Sequence, residues 1–78
     1  MYMEDEAILA GLKRVGQNIF GLRCDRQISL GELSEQTNLS VKYLRKIEDG
    51  KCCDVDLFEL KLIADCLGVK IDELFKGL

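Results

Sequence analysis

Residues 29–50, SLGELSEQTNLSVKYLRKIEDG, contain two short amphipathic segments joined by a turn of about four residues. Ser29 is followed three residues later by Glu32, a capping box that predicts the start of a helix. Asn38 suits the left-handed conformation that ends a helix, and Ser40 is a good cap for the next one. This order of cap, turn and cap is typical of a helix-turn-helix motif.

The second helix of the motif has a clear inward side. Leu44 and Ile47 are three residues apart and are expected to face the core, while Gly50 occupies a closing position that often needs a positive φ. The polar side chains between them therefore face outward. Since the second helix of this motif enters the DNA major groove, the leading interpretation is a small sequence-specific DNA-binding protein.

The rest of the chain predicts further helices. Apolar spacing predicts a first helix over about 5–26, although Gly16 makes a break possible there. A second capping box, Asp56 with Glu59, begins a fourth helix, and a last short helix starts near Asp72. The inward stripe of the fourth helix is expected at Leu57, Leu60, Ile63, Ala64 and Leu67.

The expected fold is therefore all-α, a compact bundle of about five helices. Residues 1–14 are expected to extend helix one, and residues 15–78 to form the helix-turn-helix domain, with the motif at 29–50. The 78 residues suit one small domain, and the absence of Pro and of alternating β-branched runs favours helices. No window approaches the ~20 apolar residues of a membrane span, and the N-terminus lacks a basic flank, so we expect a cytoplasmic protein without a membrane partner.

Four cysteines raise the question of a disulfide or a metal. The chain has no His and no C-x-x-C pair, and Cys52 and Cys53 are neighbours, which is poor geometry for zinc. We expect Cys66 in a small core position and Cys24 on a helix surface, with redox sensing at Cys52–Cys53 as a lesser alternative. No metal, cofactor or small-molecule ligand is expected, and the lack of His and of a phosphate-binding loop argues against an enzyme.

The net charge of −3 at first opposes a nucleic-acid partner, but the charge is unevenly distributed. Residues 7–28 carry four basic side chains against one acidic, and residues 40–53 carry four against two. The acidic residues collect at the N-terminus and after residue 53. Because screening limits charge effects to about 8 Å at physiological salt, the local excess matters most for phosphate. The acidic total predicts weak non-specific binding.

Four segments in order resemble the phage repressor-like helix-turn-helix family, also called the Cro/repressor or XRE type. They are VGQNIFGLRCDRQIS, LGELSEQTNLS, VKYLRKIEDGK and LFELKLIADCLGVKIDELF, which together cover roughly residues 15–75. The resemblance implies a lambda repressor-like DNA-binding domain. It also implies a buried ion pair between Arg23 and Glu48. The alternative is that both residues are solvated surface charges.

The same resemblance implies how DNA would be bound. Val41, Lys42 and Lys46 match positions that usually touch base edges, whereas Tyr43 and Arg45 more plausibly flank the groove at phosphates. Leu30 and Asp49 depart from the family pattern, because Leu30 cannot donate a hydrogen bond and Asp49 would repel a phosphate. Together with the helix N-termini and the loop after the motif, the predicted DNA-binding residues are Ser29, Ser40, Val41, Lys42, Tyr43, Arg45, Lys46 and Lys51.

Such a protein commonly binds as a symmetric dimer across two half-sites. Phe75 and Leu78 are the first candidates for a homodimer interface, and the stripe of Ile8, Leu9 and Leu12 is the second. The preferred function is a bacterial or phage transcriptional regulator whose partner is double-stranded DNA. The alternatives are a protein-interaction module that has kept the fold but lost DNA binding, and the antitoxin of a toxin–antitoxin pair; controllers of restriction systems share the same architecture.

Overall fold

The computed structural model describes the backbone of residues 2–78 and the side chains of residues 6–78. Four α-helices are followed by one short 3-10 helix, and this part of the chain contains no strand. The α-helices are α1 (Tyr2–Asp25), α2 (Leu30–Thr37), α3 (Val41–Glu48) and α4 (Leu57–Leu67), and the 3-10 helix, η1, spans Ile71–Phe75. The all-α expectation is confirmed, with the last of the five helices being a 3-10 turn.

Helix α1 is unbroken through Gly16, so the break considered there does not occur. The reason for this glycine is packing: a Cβ atom at Gly16 would clash with the carbonyl oxygens of Ile47 and Glu48. Gly16 therefore lets α1 and α3 approach closely. Residues 2–14 belong to this same helix, and no side chain is described for residues 1–5. The division into an N-terminal extension of helix one at 1–14 and a helix-turn-helix domain at 15–78 stays a prediction.

The helix starts and stops follow the local signals in the sequence. Ser29 and Asp56 each form a complete capping box, with Glu32 and Glu59 respectively. Asn38 takes the left-handed conformation with φ 65° at the end of α2. Gly50 and Gly68 both have φ 73°, after α3 and at the end of α4. These caps satisfy backbone groups that helices leave without intrahelical partners.

The core lies between the inward sides of the four α-helices and η1, with α3 packed against α1 and α2 and with α4 packed against α2 and η1. Its fully buried members include Ile19, Leu33, Leu44, Ile63 and Leu74. The residues just before the three N-caps, Ile28, Leu39 and Val55, pack against this core and fix the angle at which each helix enters, in the manner of a hydrophobic staple.

Leu57 was expected in the inward stripe of α4, and this expectation is wrong. Leu57 is 65% exposed, whereas Leu60, Ile63, Ala64 and Leu67 are buried as expected. Leu57 is the first helical residue after the cap Asp56, and at this end of α4 the preceding Val55 packs against the core. Among the described residues, no helix is long and apolar enough to cross a membrane.

Candidate nucleic-acid interface

Helix α3 is fixed by a cap at its start and two aliphatic anchors along its length. The Ser40 hydroxyl accepts the backbone N–H of Tyr43 at 3.0 Å. Leu44 and Ile47 are 1% and 3% exposed, so they commit one side of the helix to the core. The opposite side is left for solvent or a ligand.

The predicted base-contacting residues lie on that open side. Val41, Lys42, Arg45 and Lys46 are all exposed, as is Lys51 in the loop that follows. Within the described part of the chain, neither Lys42 nor Lys46 forms an ion pair with a carboxylate. Lys42 and Lys46 are four residues apart, which is about one helical turn, so both ammonium groups can enter the same groove. The structure thus places both lysines on the one exposed side of α3.

The start of α2 offers backbone donors beside this surface. The Ser29 hydroxyl accepts the Glu32 N–H at 3.0 Å, and the Glu32 carboxylate accepts the Ser29 N–H at 2.9 Å. The capping box therefore uses two of the donors at this terminus internally. The N–H groups of Leu30 and Gly31, the first two helical residues, are the ones positioned to meet a phosphate.

An open groove of about 500 Å³ separates the start of α2 from the end of α3. Phe20 and Leu30 give it an apolar surface, and Arg45 and Asp49 bring one charge of each sign. Phe20 is 51% exposed, which is unusual for a large aromatic side chain on a small domain. Leu30 and Asp49, the two residues that depart from the family pattern, thus lie close together beside the open side of α3.

Arg23 and Glu48, which also line this groove, form a bidentate ion pair. Arg23 Nε donates to one Glu48 carboxylate oxygen at 2.7 Å, and Nη2 donates to the other at 3.1 Å. Arg23 Nη1 also donates to the Ile28 carbonyl at 2.9 Å. The side chains are only 13% and 7% exposed, and the bond to Glu48 raises the pKa of Arg23. The pair joins α1 to the end of α3 and to the link before α2.

Tyr43 is held differently from the phosphate contact that the sequence predicted for it. Its hydroxyl donates to Oε1 of Glu59, in the first turn of α4, at 2.6 Å. The ring is partly buried against the core. This hydrogen bond and the partial burial raise the pKa of the phenol well above its usual range. The hydroxyl is therefore engaged inside the protein, and the structure does not support it as a phosphate contact.

Cys52 lies in the core, although the polar residues around it in sequence gave no sign of burial. It is 2% exposed, its thiol donates to Asp54 Oδ1 at 3.2 Å, and burial raises its pKa. Cys53 is exposed. Since the thiolate is the reactive form, a buried thiol of raised pKa is a poor partner for redox sensing with Cys53. Cys24 is exposed as expected, and Cys66 is half-buried, with its thiol donating to Gln36.

The predicted dimer residues differ in exposure. Phe75 packs partly against the core, and Leu78 is 69% exposed. Asn18 Nδ2 holds this segment by donating to the carbonyls of Leu74 and Lys76, both at 2.9 Å. A Cβ atom at Gly11 would lie 3.8 Å from Leu78, so the chain end lies against α1.

Two features at the start of α4 were not predicted from the sequence. Leu57 and Phe58 form an exposed apolar pair, 65% and 71% exposed, at the start of α4. Glu59 was recognised as a capping residue, but its bond to Tyr43 was not. No local signal links positions sixteen residues apart on different helices.

Comparison with known proteins agrees with this geometry. Residues 19–76 match the family model of the Cro/C1-type HTH DNA-binding domain. No curated protein matches the chain. Among solved structures, the chain is similar to the restriction-modification controller protein C.AhdI from Aeromonas hydrophila, with 29% identity and a TM-score of 0.80. That match covers 85% of this chain and 98% of the controller.

The family-model match at 19–76 includes the Arg23–Glu48 ion pair, both helices of the motif, α4 and η1. The order of the elements, the exposed lysines of α3 and the family match therefore point to the same conclusion. The chain belongs to the Cro/C1-type helix-turn-helix family and is a sequence-specific DNA-binding transcription regulator of bacterial or phage type.

Proposed function

We propose that this protein recognises a short operator by placing α3 in the major groove, with Lys42 and Lys46 reading base edges. The observation that carries the proposal is the division of α3 into a buried side, Leu44 and Ile47, and an exposed side that bears both lysines. A lysine ammonium is a suitable donor to guanine O6 and N7. Val41 is 38% exposed and offers methyl groups to a thymine methyl.

Phosphate contacts would surround this reading surface. The backbone N–H groups at the start of α2, next to Ser29, and the exposed start of α3 at Ser40 would face phosphates, and Arg45 and Lys51 would supply charge. We remove Tyr43 from this group, since its hydroxyl bonds to Glu59. Asp49 beside Arg45 reduces the local positive charge, which favours modest affinity for DNA of unrelated sequence.

We further propose that the protein acts as a homodimer in the cytoplasm, where its DNA lies. Ile8 is 57% exposed and lies one turn from Gly11, against which Leu78 packs. The two interface candidates, the N-terminal stripe and the C-terminal edge, thus approach one another where Leu78 lies against Gly11. Sedimentation should show a dimer at micromolar concentration, and Leu78→Asp should shift it to monomer; a wild-type monomer at high micromolar concentration would contradict the dimer.

The biological role proposed is control of a small set of genes, of the kind exercised by restriction-modification controllers. The similarity to C.AhdI, which covers 98% of that chain at a TM-score of 0.80, favours this role over an antitoxin. The sign of regulation follows from where the operator lies relative to the promoter.

A salt titration separates DNA binding from a protein-interaction module that has lost it. Affinity for mixed-sequence DNA should fall linearly on a log–log plot, with a slope of roughly 0.9 for each phosphate neutralised. Selection from a random oligonucleotide pool should then return one half-site motif, present twice in symmetric arrangement. An absence of binding at every salt concentration, or a pool that yields no motif, would refute the proposed function.

A further inference from the structure

The recognition helix has an asymmetric set of neighbours. The backbone of α3 packs against α1 and α2, and in the described part of the chain it makes no close approach to the backbone of α4. One hydrogen bond joins α3 to α4 directly: Tyr43 Oη donates to Glu59 Oε1 at 2.6 Å. The first turn of α3 is therefore tied to a helix that its backbone does not pack against.

Glu59 is itself held in place before it meets Tyr43. Its Oε1 atom also accepts the backbone N–H of Asp56 at 3.1 Å, and its own N–H donates to Asp56 Oδ1 at 2.7 Å. The capping box of α4 thus holds Glu59 by two bonds, one to its carboxylate and one from its backbone N–H. The matching box of α2, Ser29 with Glu32, has the same two bonds and no described bond from Glu32 to another helix.

We propose that Glu59 is a positioning residue for operator recognition, which sets the orientation of α3 through the hydroxyl of Tyr43. The inference rests on the proposed function, in which α3 reads bases. Tyr43 follows Lys42 in sequence and precedes Lys46 by three residues, so it lies on the same turn as the reading surface. A bond at this point restrains the tilt of the helix end that enters the groove.

Orientation matters unequally for the two classes of DNA contact. A hydrogen bond to a base edge requires the donor to meet an acceptor at one fixed position in the groove, whereas a phosphate contact is largely a charge attraction that tolerates a small displacement. Loss of the Tyr43–Glu59 bond should therefore weaken binding to the selected operator and spare binding to mixed-sequence DNA. The ratio of the two affinities is the quantity that reports orientation.

The test measures that ratio at one salt concentration, with an operator selected by the wild-type protein. Tyr43→Phe removes only the hydroxyl and should lower the ratio about fivefold, as expected for one lost hydrogen bond. Glu59→Ala should lower it similarly. Glu59→Gln retains an acceptor at the same position and should largely restore it. Glu32→Ala is the control for the ratio: it breaks the capping box of α2 beside the proposed phosphate contacts, so it should weaken binding to both DNAs alike and leave the ratio unchanged.

The double variant Tyr43→Phe/Glu59→Ala should lose no more than either single variant, because both remove the same bond. Additive losses would overturn the proposal, and so would an unchanged ratio in Tyr43→Phe. Equal weakening on operator and mixed-sequence DNA would instead assign the hydroxyl to a phosphate and also overturn it. Failure of the proposed function has a different signature, since wild-type protein would then show no preference for any sequence.

Discussion

Two polar contacts hold the recognition helix, one at each end, and they differ in charge and in what they join. At the end of α3, Glu48 receives two bonds from Arg23, and both side chains are nearly buried. At the start, the uncharged phenol of Tyr43 donates one bond to Glu59. The first contact closes the interface between α1 and α3, while the second links α3 to a helix that its backbone does not approach.

Stability and recognition therefore depend on different contacts in this small domain. A buried charge that loses its partner stays buried and uncompensated, so its removal is costly to the whole fold. A phenol that loses its acceptor at a partly open site can be solvated, so the cost is smaller. We therefore expect the Arg23–Glu48 pair to support folding and the Tyr43–Glu59 bond to support orientation.

The largest effect is expected at the buried pair. Glu48→Ala should lower the free energy of unfolding by about 3–5 kcal/mol, because Arg23 is left buried without its counter-charge. Chemical denaturation followed by circular dichroism measures the loss. Asp65→Ala, which breaks the exposed pair of Lys61 and Asp65, is the matched control and should cost less than about 1 kcal/mol. Equal losses in the two variants would remove the distinction.

A smaller effect is expected where α1 and α3 cross. Gly16→Ala should destabilise by about 1–3 kcal/mol, because its Cβ would meet the carbonyl oxygens of Ile47 and Glu48 and push the helices apart. Gly21→Ala is the control in the same helix, since nothing lies within 4 Å of its Cβ position. That variant should gain up to about 1 kcal/mol from helix propensity. A gain in both variants would contradict the close crossing.

Tyr43→Phe, at the start of α3, should lower the free energy of unfolding by about 1 kcal/mol, which is typical of one hydrogen bond. Its acidity gives a second measurement. In a Tyr2→Phe background, tyrosinate absorbance should report a pKa for Tyr43 above its usual value of about 10, and Glu59→Ala should lower it. Because the folded pKa is raised, this contribution is complete below about pH 10 and is lost as pH rises through the folded value. A Tyr43 that titrates alike in both proteins would argue against the bond.

The smallest effect is expected at the exposed cysteine of the loop after α3. Cys53→Ser should change stability by less than about 0.5 kcal/mol, since its side chain is exposed. Mild oxidation of the wild-type protein should leave operator affinity unchanged, because Cys52 is buried and cannot readily reach Cys53. A loss of affinity on oxidation that Cys53→Ser prevents would revive the redox hypothesis for this loop.

Features that depend on contacts between residues close in sequence were predicted correctly. Caps and turns depend on residues within four positions of each other, and the capping boxes, Asn38 and Gly50 were all identified correctly. The inward positions Leu44 and Ile47 followed from helical spacing. These signals were enough to predict the all-helical fold and the exposed side of α3.

The features that sequence did not predict depend on contacts between distant helices. Gly16 appeared as a weak point in α1, but its purpose is the close approach of α3. Cys52 is buried and Leu57 exposed because of how the loop after α3 enters α4. The partner of Tyr43 lies sixteen residues away, so its hydroxyl could be assigned only once α4 was placed.

The most direct test of base reading by α3 is a missing-contact measurement with the selected operator. Wild-type protein, Lys42→Ala and Lys46→Ala should be compared for sensitivity to each base pair of the half-site, at matched salt and after confirming equal thermal stability. Each variant should lose about 1–3 kcal/mol on the operator and become indifferent to one base position, a different one for each lysine. If both variants keep the wild-type base preferences and lose only overall affinity, α3 does not read the bases and the account is contradicted.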